Sequence, residues 1–117
     1  MNVIWNIKPF KALSTSELYS VLQLRAEVFI VEQNCVYQDI DGKDVKAFHL
    51  MGEYDGKIVA YARLFKSGDY FENASIGRVV IDANYRDKKW GHEMMQQAIK
   101  GIETHFGETK ITISAQL

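Results

Sequence analysis

One cysteine, Cys35, occurs in 117 residues, so no disulfide can form within the chain and nothing ties it to an oxidising compartment. Proline is as scarce. Pro9 stands alone, which excludes Pro-rich linkers and leaves the rest of the chain without imposed breaks. No apolar run approaches the roughly 18 residues of a membrane span. The segment Met1 to Lys8 lacks the basic start and long apolar run of a secretory leader, so the expected location is the cytoplasm. Excess charge of one sign is missing too: 14 Lys and Arg face 15 Asp and Glu, a net charge of −1. That balance gives no general attraction for nucleic acid or a membrane surface, so neither is an expected partner.

Several motifs are absent as well. No Gly-x-Gly-x-x-Gly and no Gly-Lys-Ser/Thr follows a strand-like run, which argues against a nucleotide-binding βαβ domain. His92-Glu93-Met94-Met95-Gln96 lacks the second histidine of a zinc helix, and Asp39-Ile40-Asp41-Gly42 is too short for a calcium loop. No metal site is expected. Asn73-Ala74-Ser75 is a formal glycosylation sequon without a secretion signal to give it meaning.

What is present is the balance of a folded domain, 47% apolar and 25% charged. A chain of this length buries roughly two-thirds of its unfolded surface, enough for one core and one domain. Val3 to Pro9 reads as a strand. Ser14 and Glu17 are spaced as a capping box, which starts a helix expected to reach about Val31, with Leu18, Val21, Leu22, Val28 and Phe29 on one face. Asn34 to Lys46 is a loop. Phe48 to Tyr54 and Lys57 to Lys66 read as strands joined by an Asp55-Gly56 hairpin turn. Ser75 to Asp82 is a strand whose Val79-Val80-Ile81 run suggests burial on both faces. Trp90, Met94, Ala98, Ile102 and Phe106 recur every four residues in a helix expected from Lys88 to Phe106, and Gly107 falls at its stop. Lys110 to Leu117 alternates as a final strand. The order is β-α-β-β-β-α-β, a mixed sheet of the α/β class, or α+β in a loose sense, whose last strand–helix–strand unit should be a parallel crossover.

The segment from Val79 to His92 concentrates the functional signal. A buried strand passes through a polar turn into a helix whose first turn is expected to hold Arg86, Lys88 and Lys89. Unpaired N–H groups at a helix start attract phosphate oxygens, and cations avoid that end unless an anion offsets the repulsion. Gly91 would let a ligand approach the backbone closely. The alternative is a solvated turn with lysines that aid solubility.

Arg86-Asp87-Lys88-Lys89-Trp90-Gly91 resembles the pyrophosphate loop of the GNAT superfamily of N-acetyltransferases, Gln/Arg-x-x-Gly-x-Gly/Ala, with Lys89 where the first glycine usually falls. The stretches Leu24 to Cys35, Tyr37 to Gly42, Val59 to Arg63, Ile76 to Val79 and Ala115-Gln116 are similar to its ElaA-like branch, in the same order along the chain. The resemblance implies a GNAT-like, mostly antiparallel sheet flanked by helices, acetyl-CoA as donor and a primary amine, on a small molecule or a protein, as acceptor. It implies that Val79, Val80 and Ile81 contact pantetheine and thioester. Arg86, Asp87, Lys88, Lys89, Trp90, Gly91 and His92 would hold the pyrophosphate. Chains of this kind usually continue past the strand ending near Leu117 into a further helix that commonly supplies a tyrosine acid. The expectation is therefore a C-terminally shortened domain with weak transfer, an unpaired strand edge and a tendency to form a homodimer. A non-catalytic acyl-CoA-binding module is the rival reading.

Acetyl transfer to an amine needs a route for the amine proton and donors for a developing oxyanion. The oxyanion donor is expected to be a main-chain N–H near Val80. Glu32, two helical turns after Arg25, is either the general base or half of a structural pair with that arginine. His49 and Arg78 are the other catalytic candidates. Arg25, Asp39, Tyr61, Arg63 and Gln116 are candidates for the acceptor cleft, Arg25 because a charge in an apolar stripe must be paired or line a cavity. Arg78 is expected to share a strand face with Ile76 and Val80. Asp41 and Asp44 read as turn formers.

Overall fold

A computed structural model describes residues 2–114. Its elements follow the expected order: β1 (Ile4–Pro9), α1 (Thr15–Ala26), β2 (Phe48–Tyr54), β3 (Lys57–Phe65), β4 (Ala74–Ile81), α2 (Gly91–Phe106) and β5 (Ile111–Ile113). The five strands form one sheet in sequence order. Every neighbouring pair is antiparallel except β4 and β5, which run parallel on either side of the α2 connection. The sheet is thus mixed and mostly antiparallel, with helices on both faces.

Alternation along the strands sorts the core into two halves. Leu50, Ala62, Leu64 and Ile76 face α2 and meet Met94, Ala98 and Ile102. Met51, Tyr61 and Val80 face the other way and meet Val21, Leu24, Val28 and Phe29. Small residues set the spacing. A Cβ on Gly52 would lie 2.6 Å from Cζ3 of Trp5 and 3.0 Å from the Ala60 Cβ. Because an indole ring cannot give way as a flexible chain end can, Gly52→Ala should cost about 1–3 kcal/mol in urea unfolding. A loss under about 0.5 kcal/mol would mean that β1 slides freely over β2. No helix among the described residues is long and apolar enough to cross a membrane.

The capping box forms as expected: the Glu17 N–H donates to Ser14 Oγ at 3.0 Å and the Ser14 N–H to Glu17 Oε1 at 2.8 Å. Three features depart from the sequence reading, all near the β4–α2 junction. The first helix does not stay α-helical to Val31; from Glu27 to Glu32 it is a π-helix, with i to i+5 bonds such as Cys35 N–H to Ile30 O at 3.1 Å. Val28 and Phe29 are both in the core, as the apolar face of the helix predicts. Next, α2 starts at Gly91 rather than Lys88. Ala83–Lys88 is a 3-10 turn capped by Asp82, and Lys89 at φ 59° takes a left-handed conformation that interrupts the helical path. Arg86, Lys88 and Lys89 therefore precede the helix instead of sitting in its first turn.

The third departure is a β-bulge. Tyr61 pairs with Val80 and Arg63 with Gly77, so Ala62 spans the two residues Arg78 and Val79. Arg78, at φ 50°, absorbs the extra residue. The bulge reverses the alternation: Ile76 faces α2, whereas Val80 faces α1. Arg78 and Ile76 consequently do not share a face.

Candidate functional site

The bulged end of β4, the π-helical segment and the start of α2 line an open cavity of about 560 Å³. Its walls are Val79, Val80 and Ile81 from β4, Arg86 from the 3-10 turn, Gly91, Met94 and Met95 from α2, and Val28, Phe29, Glu32 and Gln33 from the π segment. Helix α2 has Trp90 at its N-cap, with no side chain capping the first turn. Its leading N–H groups thus keep the partial positive charge of an open helix end. A Cβ at Gly91 would meet nothing within 4 Å, so the protein itself leaves that position open.

Five of the ten residues singled out for cofactor binding, Val79, Val80, Ile81, Arg86 and Gly91, come together on this cavity. Asp87, Lys88, Lys89 and His92 are exposed beside it. Lys88 Nζ lies 5.4 Å from the centre of the Tyr54 ring. Trp90 turns away from the cavity and packs on Tyr54 and Tyr85, its ring nearly parallel to that of Tyr85 at 14°. Lys89 occupies a left-handed backbone position, the conformation that favours glycine. That conformation accounts for the glycine at this place in the motif the loop resembles.

Val28, Phe29, Gln33 and Met95 were not legible as cavity residues. Val28 and Phe29 read as core positions of the first helix, Gln33 lies at the end of the π segment, and Met95 sits off the four-residue stripe of α2.

Candidates on the α1 face of the sheet fall inside the protein. Arg25, Tyr61, Arg63 and His49 are 0% exposed, Asp39 5% and Arg78 8%. Arg25 Nε donates to Asp39 Oδ2 at 2.9 Å and its Nη1 to Asp44 Oδ1 at 2.8 Å. Arg63 reaches Asp44 at 2.9 Å and forks onto Asp41 at 2.9 and 2.8 Å. Arg78 Nε donates to the second Asp39 oxygen at 2.8 Å. Three buried arginines from α1, β3 and the β4 bulge therefore clamp three aspartates of the 34–47 loop.

This network corrects several expectations. Arg25, Asp39, Tyr61 and Arg63 do not line an open acceptor cleft; burial forces each charge to be matched internally. Asp41 does form the expected turn, accepting from the Lys43 N–H at 3.0 Å, and Asp41 and Asp44 serve as counter-ions as well. Arg25 does not pair with Glu32, because Asp39 and Asp44 already occupy it. Gln116 lies outside the described residues.

His49 is held at both ring nitrogens, Nδ1 at 2.6 Å from Tyr61 Oη and Nε2 at 2.9 Å from the Asp44 carbonyl oxygen. With both nitrogens engaged and no exposed surface, it has no path to an acceptor amine. Arg78, likewise enclosed, is committed to Asp39. Among the catalytic candidates, only Glu32 stands on the cavity wall. It accepts a two-pronged ion pair from Arg86, Nη1 at 2.6 Å and Nη2 at 2.9 Å.

Burial pushes the His49 imidazole below its usual range, more than its bond to the Asp44 carbonyl raises it. The folded protein keeps His49 neutral while the unfolded chain protonates it, so stability is full above about pH 6.5 and falls as pH drops below that value. His49→Gln should remove this limb from urea unfolding measured at a series of pH values. An unchanged slope between about pH 6.5 and 5 would assign the loss to other groups. For Asp41, burial raises the carboxyl, but hydrogen bonds from Arg63 and the Lys43 N–H outweigh it and hold the group at about 2. Its contribution is complete above the usual carboxylate range of about 3.9 and disappears as pH falls through about 2.

A mixed sheet whose bulged fourth strand runs through a basic turn into an uncapped helix is the frame of this site. The chain belongs to the acetyltransferase (GNAT) family, whose profile matches residues 15–116. It is 40% identical over 114 residues to Protein ElaA of Escherichia coli K12, an alignment covering 96% of this chain and 74% of that protein. Among solved structures it is similar to an acyl-CoA N-acyltransferase from Pseudomonas aeruginosa, with a TM-score of 0.91 and 39% identity over 98% of this chain and 80% of that one. Escherichia coli ElaA matches with a TM-score of 0.90 at 39% identity, covering 98% and 79%.

Proposed function

We propose that this chain binds acetyl-CoA in the β4–α2 cavity and moves the acetyl group to a primary amine of a small molecule or a protein. One observation carries the reading: the cavity joins a bulged strand, an uncapped helix start and a glycine whose Cβ position is empty. Those features fit a diphosphate lying against backbone.

Bound acetyl-CoA supplies an activated acetyl thioester. The N–H groups opening α2 at Gly91 and His92 would hold the diphosphate, with Arg86 beside them. Val79, Val80 and Ile81 would line the pantetheine arm and exclude water from it. The bulge at Arg78 and Val79 breaks the regular ladder with β3, so main-chain N–H groups there and at Val80 are the proposed donors to a developing oxyanion. Glu32 is the proposed proton acceptor for the amine. The Arg86 hydrogen bond holds its carboxyl below the usual range, so it serves as a base only once that bond is released. Arg78 is held by Asp39, and His49 by Tyr61 and the Asp44 carbonyl, which assigns them to positioning the bulge and loop.

A thiol-release assay over a panel of amines tests the proposal. Acetyl-CoA-dependent thiol release with at least one primary amine, and mass gain of that amine by one acetyl group, is the expected result. Binding of acetyl-CoA with no thiol release across the panel would favour an acyl-CoA-binding module over an enzyme.

A further inference from the structure

Arg86 and Glu32 both line the cavity and pair with each other there. Glu32 ends the π segment, Arg86 belongs to the turn after β4, and the two side chains meet although 54 positions separate them in sequence. Arg86 is anchored on its own turn by Nε, which donates to the Ile81 carbonyl at 3.1 Å. That anchor leaves the two terminal nitrogens pointing outward as a fork, and the fork is filled by the Glu32 carboxylate. A guanidinium fork fits a phosphate as well as it fits a carboxylate.

This pair differs from the other arginine–carboxylate contacts of the chain. Arg25, Arg63 and Arg78 have side chains 0–9% exposed, and their aspartates cannot leave without stranding a charge. Arg86 and Glu32 are 44% and 38% exposed, so water can solvate either partner when the contact opens. The backbone beyond Glu32 also leaves the helix within two residues, with Asn34 at φ 51°. The carboxylate thus sits at the end of its element, where a side chain can swing clear.

We infer that the Glu32–Arg86 ion pair is an autoinhibitory latch on the cavity, opened when the diphosphate of an acyl-CoA takes the Arg86 fork from the Glu32 carboxylate. The inference rests on the cofactor reading above. Two anions compete for one fork, so the carboxylate lowers the affinity of the free protein for the ligand. Opening also strips Glu32 of its counter-ion, and the base becomes available only after the donor is seated.

Calorimetric titration with coenzyme A of the wild-type chain, Glu32→Gln, Glu27→Gln and Arg86→Ala separates the outcomes. Glu27 is the control: it is exposed, five residues earlier on the same segment, and pairs with no cation among the described residues. The latch predicts that Glu32→Gln binds coenzyme A about two- to fivefold more tightly, the range set by releasing an exposed ion pair. Glu27→Gln should leave affinity unchanged, and Arg86→Ala should weaken it. Unchanged or weaker binding by Glu32→Gln would overturn the latch, since the carboxylate would then be orienting Arg86 for the ligand or be irrelevant to it. Equal tightening by both glutamine variants would overturn it as well, as a plain effect of removing negative charge. Absence of binding by every chain would remove the cofactor reading and the latch together, whereas binding without selective tightening removes the latch alone.

Discussion

Replacing Asp44 with alanine is expected to cost about 3–5 kcal/mol of folding stability, the usual result of deleting one member of a buried ion pair. Asp44 Oδ1 accepts from Arg25 at 2.8 Å and from Arg63 at 2.9 Å, and both guanidinium groups are 0% exposed. Alanine removes the carboxylate shared by two cations and leaves an uncompensated positive charge where water does not reach. Neither arginine can compensate: Arg25 is fixed on α1 and Arg63 on β3, and each already holds a second aspartate. Burial alone would raise the Asp44 carboxyl; the two arginines override it and keep the group ionised. The Lys57–Asp82 contact is the contrast, at 3.6 Å with the lysine 61% exposed, and Lys57→Ala should change stability by less than about 0.5 kcal/mol. Urea unfolding at neutral pH reads both variants. If Asp44→Ala loses less than about 1 kcal/mol, the network is dispensable and the 34–47 loop is held by other contacts.

The second large effect concerns the ligand. Gly91→Val should weaken acetyl-CoA binding more than tenfold, while Lys89→Ala should change it by no more than about threefold. The reasoning separates protein from ligand. The site of a Gly91 Cβ is empty within 4 Å, so a side chain has room to start there and the fold should survive. The branched side chain would instead occupy the space where a diphosphate approaches the open helix end, and a tenfold loss corresponds to only about 1.4 kcal/mol. Lys89 is exposed, so its charge is screened by salt. Its left-handed backbone position is also retained by alanine at a cost similar to lysine's. Binding that fails in Lys89→Ala but survives in Gly91→Val would mean that side-chain charge, not backbone, holds the phosphates.

How much of this was legible in the sequence depended on the range of the interactions. The capping box at Ser14 and Glu17, the Asp55-Gly56 turn, the Met94, Ala98, Ile102 and Phe106 part of the α2 stripe (Trp90 falls at the N-cap instead) and the Gly107 stop all rest on neighbours within a turn or two. Each formed as expected, with Gly107 at φ 68° donating to the Glu103 carbonyl at 2.9 Å. The buried arginine in the α1 stripe could be recognised as needing partners. Its partners could not be named, because Asp39 and Asp44 lie 14 and 19 residues away across a loop of no regular pattern. Asp41 and Asp44 look like turn residues locally, and only three converging arginines make them counter-ions. The β4 bulge escaped notice because periodicity assumes an unbroken alternation, and Arg78 carries none of the usual marks of a left-handed residue. The π turn was hidden for a similar reason: Glu27 to Glu32 is compatible with an ordinary helix, and one inserted residue shifts every later side chain. The outcome matters for the site, since Glu32 meets Arg86 rather than Arg25.

The central claim is that the cavity between the bulge of β4 and the start of α2 is an acyl-CoA site. Calorimetric titration of the folded chain with acetyl-CoA tests it most directly. Saturable one-to-one binding with a dissociation constant below about 1 mM is the predicted result. Absence of binding at millimolar ligand, a limit of only about −4 kcal/mol, would contradict it.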